Sequence, residues 1–158
     1  INSIDAVAKR YKKRIIFSVH PRTRKKLKEM NYCFDPLVEF MKPLGFADYI
    51  KLQQHAYCVI SDSGTITEES SLLGFPAITI RQAHERPEGM DVGTLIMTGL
   101  DKENILSSID IVSKQQQISK STLRLVPDYD VDFVSQKVLR IIMSYTGYIR
   151  RTVWRENT

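Results

Sequence analysis

The stretch Ser61-Asp62-Ser63-Gly64-Thr65, followed by Glu68 and Glu69, combines small hydroxyl side chains, a glycine and two carboxylates. Ser63, Gly64 and Thr65 lie between a short apolar run (Tyr57 to Ile60) and an amphipathic stretch closed by Gly74, so they occupy a turn that opens a helix. Exposed backbone N–H groups and the positive end of the helix dipole favour an anion there, and a phosphate would fit. Glu68 and Glu69 fall in the first helical turn. They can serve as dipole partners or capping-box acceptors, or, for Glu69 above all, accept hydrogen bonds from a ribose one turn from a bound phosphate.

These residues need a βαβ unit to position them. After Gly74, Phe75 to Ile80 forms a second apolar run, giving strand, turn, helix, strand, with the two strands parallel. The turn then lies at the carboxyl end of the sheet, where open α/β folds bind ligands. Other loops are expected at the same rim. Arg14 to Val19 is a strand ended by His20-Pro21, and Leu37 to Met41 is a strand followed by Leu44-Gly45-Phe46. Glu85-Arg86-Pro87-Glu88 follows the strand ending at Ile80. His20 is there either a rim group or a structural imidazole bonded to backbone. Phe46 either faces a flat ring or staples the N-terminus of a helix over 47–55.

The remaining elements are helical or short. Ile4, Val7, Ala8 and Tyr11 make an amphipathic helix over 2–13, and 23–30 reads as a short basic helix. Residues 94–97 make a strand, Asp101 caps a helix to about Lys114, and 115–127 is polar connecting sequence. A last helix over 132–145 carries Phe133, Val134, Val138, Ile141 and Ile142 as its apolar face. Tyr148, Ile149, Val153 and Trp154 follow it as apolar residues that this domain need not cover.

Composition narrows the class. The chain has 158 residues, 42% hydrophobic and 26% charged, which suits one globular domain, and no apolar run is long enough to span a bilayer. Cys33 and Cys58 lack metal-ligand spacing, so buried free thiols in a reducing compartment are expected. Ten basic residues (Lys9, Arg10, Lys12, Lys13, Arg14, Arg22, Arg24, Lys25, Lys26, Lys28) stand against the single acid Asp5 in residues 1–28. Without a helix-turn-helix, zinc or RNA-binding signature, that block reads as a solvated helix face or a cleft for phosphorylated ligands rather than a nucleic-acid surface. The first residue, Ile1, leads to the expectation of a fragment or processed piece.

Ser61 to Glu69, Gly74-Phe75-Pro76 and Glu85-Arg86-Pro87-Glu88, in this order, resemble the non-hydrolysing UDP-N-acetylglucosamine 2-epimerase family. The tail ending Val153-Trp154-Arg155 and Thr65 in place of a usual glycine look most like the capsule-pathway branch that forms UDP-N-acetyl-L-fucosamine. The resemblance implies a Rossmann-like parallel sheet flanked by helices, the C-terminal half of a two-domain GT-B architecture. Residues 1–158 would be the UDP-binding domain, incomplete because its first strand and the N-terminal domain lie upstream of Ile1. It further implies a cytoplasmic isomerase that inverts C2 by eliminating and re-adding UDP, without metal or cofactor and homodimeric at full length.

By resemblance, Ser63, Gly64 and Thr65 match the diphosphate turn, Glu69 the ribose acid, and Gly45 and Phe46 the uracil-facing loop. Glu85, Arg86 and Glu88 match a charged loop bordering the sugar, with His20 a further sugar-side candidate. Catalytic groups are expected outside this chain, so the fragment alone should be inactive. The alternatives are the donor domain of a GT-B glycosyltransferase and a non-catalytic nucleotide-binding module.

Overall fold

A computed structural model describes residues 2–30, 32–83, 85–118 and 125–156. They divide into two units, 1–126 and 127–158. The first unit alternates helix and strand: α1 (Asn2–Tyr11), β1 (Ile15–Ser18), α2 (Pro21–Glu29), β2 (Val38–Met41), α3 (Phe46–His55), β3 (Val59–Ser61), α4 (Ile66–Leu73), β4 (Ala77–Thr79), α5 (Glu88–Asp91), β5 (Ile96–Met97) and α6 (Lys102–Ile118). All strand pairs are parallel, as α/β alternation requires.

The expected parallel strands form two ladders, β1-β2 and β3-β4-β5, among the described residues. β4 is the middle strand of the larger ladder, and all three of its residues are buried. Successive side chains point to opposite faces, which puts its two apolar residues in separate cores. Ala77 packs with Ile66, Phe75 and Leu95, while Ile78 packs with Ile105, Ile109 and Val112 of α6. Helices on both faces therefore hold β4 rigid behind the turn that follows β3.

Local chemistry explains the boundaries of α4. Gly74 ends it in the left-handed region (φ 66°, ψ 38°), its N–H donating to the Ser70 carbonyl at 3.0 Å, a conformation that glycine reaches without steric cost. Asp101 precedes α6 and accepts from the Asn104 N–H at 2.9 Å, the expected cap. α6 runs on to Ile118, beyond the expected end at Lys114, because Gln115, Gln116 and Gln117 are adequate helix formers and no glycine or proline stops them. Part of the connecting sequence expected over 115–127 lies outside the described residues.

Two further expectations are corrected. Cys33 is exposed, and Cys58 precedes β3 rather than sitting within it; burial still pushes the Cys58 thiol up to about 12. In the second unit α7 runs Val134–Thr152, beyond the expected end at Tyr145, and none of its residues is buried. Phe133 is the N-cap of this helix and is itself exposed.

Candidate functional site

The site is built on the turn between β3 and α4. Ser61, the last residue of β3, accepts the Ser63 N–H on its hydroxyl oxygen at 3.1 Å, and the Ser63 and Thr65 hydroxyls lie 3.0 Å apart. Thr65 is the N-cap, but its side chain makes no capping bond, and Glu68 does not complete the capping box that Thr65-x-x-Glu68 suggests. Neither glutamate of the first turn acts as a side-chain cap; both reach to other elements. Among the described residues the N–H groups of Gly64, Thr65 and Ile66 have no hydrogen-bond acceptor, leaving a cluster of donors at the helix end.

Arg86 closes over this cluster. Its Nε pairs with Glu68 Oε1, and its Nη1 lies 3.8 Å from Glu85 Oε2. A Cβ on Gly64 would collide with Arg86 Nη1, so the guanidinium rests directly on the turn. The backbone of Gly64 is not left-handed; glycine matters here for closeness, not for φ. Glu85 also accepts from Arg81 at 2.9 Å, and Arg81 holds its carboxyl below the usual range, with Arg86 adding to the effect. Ser63, Gly64, Glu85 and Arg86 line one shallow, open pocket together with Thr67, Thr79, Met90 and Leu95.

The other expected residues lie elsewhere. Glu69 accepts from Gln53 Nε2 at 2.6 Å and so is tied to α3 rather than to the pocket lining. Gly45 is the N-cap of α3 and Phe46 its first residue. At 80% exposure Phe46 cannot be a hydrophobic staple, which requires packing against the helix. Glu88 begins α5. His20 is exposed after β1, on the other ladder, and its Nδ1 accepts the Arg22 N–H at 3.3 Å, the backbone-bonded imidazole of the structural alternative.

Two participants escaped the sequence reading. Gln53 is buried to 3% exposure on α3, and Tyr49 stands one turn before it. Burial raises the Tyr49 phenol, the nearby Glu69 charge raises it further, and the Gln53 side chain opposes the shift. Their i, i+4 spacing on a helix beside the turn was the available signal.

The parallel ladders, the helices on both faces of β4 and the donor turn at the carboxyl end of β3 place the chain among the open parallel α/β folds. Residues 1–143 match the UDP-N-acetylglucosamine 2-epimerase family, and the chain belongs to it. It is 37% identical over 121 residues to a UDP-N-acetylglucosamine 2-epimerase of Methanococcus maripaludis, covering 74% of this chain and 33% of that protein. It is similar to the structure of UDP-N-acetylglucosamine 2-epimerase from Rickettsia bellii, with TM-score 0.84 and 48% identity, covering 98% of this chain and 43% of that one. The Methanocaldococcus jannaschii enzyme, solved in complex with UDP-GlcNAc and UDP, aligns with TM-score 0.77 and 31% identity over 90% of this chain and 39% of its own. The chain thus spans about a third of the length of the curated relatives it matches. Among the described residues no helix is long and apolar enough to cross a membrane.

Proposed function

We propose that this chain is the UDP-binding half of a nucleotide-sugar 2-epimerase, with residues 1–158 forming the C-terminal domain of a GT-B pair. The observation that carries the proposal is the placement of the Arg86 guanidinium against Gly64, beside turn N–H groups that have no acceptor among the described residues. A diphosphate seated there would meet backbone donors, a helix N-terminus and a guanidinium fork together. In this reading Ser63, Gly64 and Thr65 hold the diphosphate, Glu69 the ribose, and Gly45 and Phe46 the uracil. Arg86, Glu85 and Glu88 border the sugar. His20, already bonded to backbone, is the weakest of the sugar-side candidates.

The strand order supports the domain assignment. A doubly wound sheet of order 3-2-1-4-5-6 has its first strand in the middle. The ladders β1-β2 and β3-β4-β5 fit strands 2-3 and 4-5-6, with β1 and β3 as the edges that a first strand would join.

The reaction of the whole enzyme would remove the C2 proton and expel UDP to leave a 2-acetamidoglycal. Protonation of C2 from the opposite face and return of UDP to the anomeric carbon would complete the inversion. Acid and base groups would come from outside this chain, which by itself would be inactive. The substrate would be a UDP-2-acetamido sugar, as the UDP-GlcNAc complex of the M. jannaschii relative suggests. Thr65 and the Val153-Trp154-Arg155 tail favour the branch that forms UDP-N-acetyl-L-fucosamine for capsule or surface polysaccharide, in a cytoplasmic homodimer.

Calorimetric titration of the 158-residue chain tests the site. UDP should bind more tightly than uridine, and equal affinities would remove the phosphate role of the turn. Epimerisation at C2 of a UDP-sugar by this chain alone would refute the division of labour.

A further inference from the structure

We propose that Gln53 is a positioning residue for Glu69: its buried amide, donating to Glu69 Oε2 at 2.6 Å, fixes the carboxylate in the rotamer that presents Oε1 to a vicinal diol. The inference rests on the reading of Glu69 as the ribose acid and adds the group that aims it.

Three observations point to Gln53. It is the one buried residue of α3, on a helix whose other polar side chains are directed to solvent or half-buried. Its Oε1 is also buried and has no hydrogen-bond partner among the described residues. A buried amide with an orphaned oxygen is a costly choice for simply joining α3 to α4, where an apolar side chain of the same length would pack without an unsatisfied atom. Keeping it is explained by what its other end does.

Glu69 supplies the complementary half. An ionised carboxylate offers about four acceptor sites, and the bond from Gln53 uses one of them. Glu69 Oε1 has no partner among the described residues and, unlike Gln53 Oε1, is not sealed from solvent. A glutamate on a helix otherwise samples several rotamers. Recognition of two adjacent hydroxyls needs the carboxylate held in one orientation, so a donor that locks Oε2 prepares Oε1. Tyr49, one turn earlier on α3, feels both groups: the charge of Glu69 raises its phenol and the Gln53 side chain opposes that. The three therefore form one cluster behind the turn.

The test compares UDP with 2′,3′-dideoxy-UDP, titrated into the 158-residue chain and its Gln53→Leu variant. The wild-type chain should prefer UDP by about tenfold or more, the preference that hydroxyl bonds to a charged acceptor produce. In Gln53→Leu that preference should fall to about twofold or less, while the affinity for the dideoxy analogue and the melting temperature stay unchanged. Gln53→Met, unbranched and equally without a donor, serves if the leucine variant does not fold.

Equal binding of the two nucleotides by the wild-type chain would overturn the ribose role of Glu69 and this inference with it. A wild-type preference that survives in Gln53→Leu and Gln53→Met would overturn the inference alone. Equal loss of both nucleotides in the variants, with a lowered melting temperature, would assign Gln53 a structural role and also overturn it.

Discussion

Arg86 Nη1 occupies the space that the Cβ of any residue other than glycine at position 64 would need. Because the backbone of Gly64 is not left-handed, Gly64→Ala introduces no φ strain, and its cost falls on the flexible end of Arg86. The displaced guanidinium also leaves Glu68. Gly64→Ala should therefore melt close to wild type but bind UDP about tenfold more weakly, the worth of a charge-assisted contact. Thermal melts and calorimetry on the same preparation check both. Unchanged affinity would mean that Arg86 does not contribute to the phosphate site.

Glu69→Gln separates charge from packing. A glutamine at 69 can still accept from Gln53, so the tie between α3 and α4 survives. What is lost is the charge-assisted bond to a ribose hydroxyl, worth about 1.5–3 kcal/mol at a buried site. UDP affinity should fall at least about tenfold with little change in melting temperature. Since α4 has no side-chain cap, a large loss of stability with unchanged affinity would contradict the structure as well as the ribose role.

Part of the acid sensitivity should trace to Asp5. The Tyr32 hydroxyl, donating to Asp5 Oδ2, holds that carboxyl below its usual range, with burial opposing and the Asp35 N–H at 3.2 Å assisting. A carboxyl whose folded pKa is depressed contributes stability above its unfolded value, about 3.9, and loses it as pH falls through the folded value. Tyr32→Phe should thus lower the melting temperature near pH 7. The difference from wild type should close as pH drops below about 4. An equal difference at about pH 7 and pH 3 would instead assign the effect to the Tyr32 ring packed on Phe34, 4.8 Å between centroids.

The βαβ unit was legible because each boundary has local chemistry: β-branched residues up to Ile60, a hydroxyl and glycine turn, and Gly74 at the left-handed cap. The placement of Arg86 on Gly64 was not, because Glu85-Arg86-Pro87-Glu88 announces a charged loop without saying where it folds. The same limit hid Gln53. Its bond to Glu69 spans 16 positions and two helices, and helical periodicity alone reads residue 53 as one more polar position. His20 was ambiguous for a different reason. An imidazole after a strand can face a ligand or bond backbone, and in the structure its Nδ1 accepts the Arg22 N–H at 3.3 Å. The parallel pairing was legible in the alternation of apolar runs and helical stretches, but not the division into the ladders β1-β2 and β3-β4-β5, because neighbouring βα units do not reveal which strands share hydrogen bonds.

The second unit presents an exposed apolar helix. Along α7, Val134, Val138, Ile141, Ile142 and Tyr145 recur at helical spacing and each is at least 46% exposed, with Trp154 beyond them at 63%. Burying an apolar side chain of this size is worth about 1.5–3 kcal/mol, so such a face favours association when it has no partner. Trp154 is the only tryptophan and reports on this directly. In dilute solution its emission should be that of a hydrated indole and readily quenched by acrylamide. With rising concentration of the chain, sedimentation should show self-association, and Ile142→Asp should abolish it while leaving the melting of residues 1–126 unchanged. In a parent protein that also contains the other GT-B domain, the emission should be blue-shifted and protected at every concentration. A blue-shifted, protected Trp154 in the dilute 158-residue chain would mean that the tail is already packed within its own chain. The tail would then give no support to a partner domain.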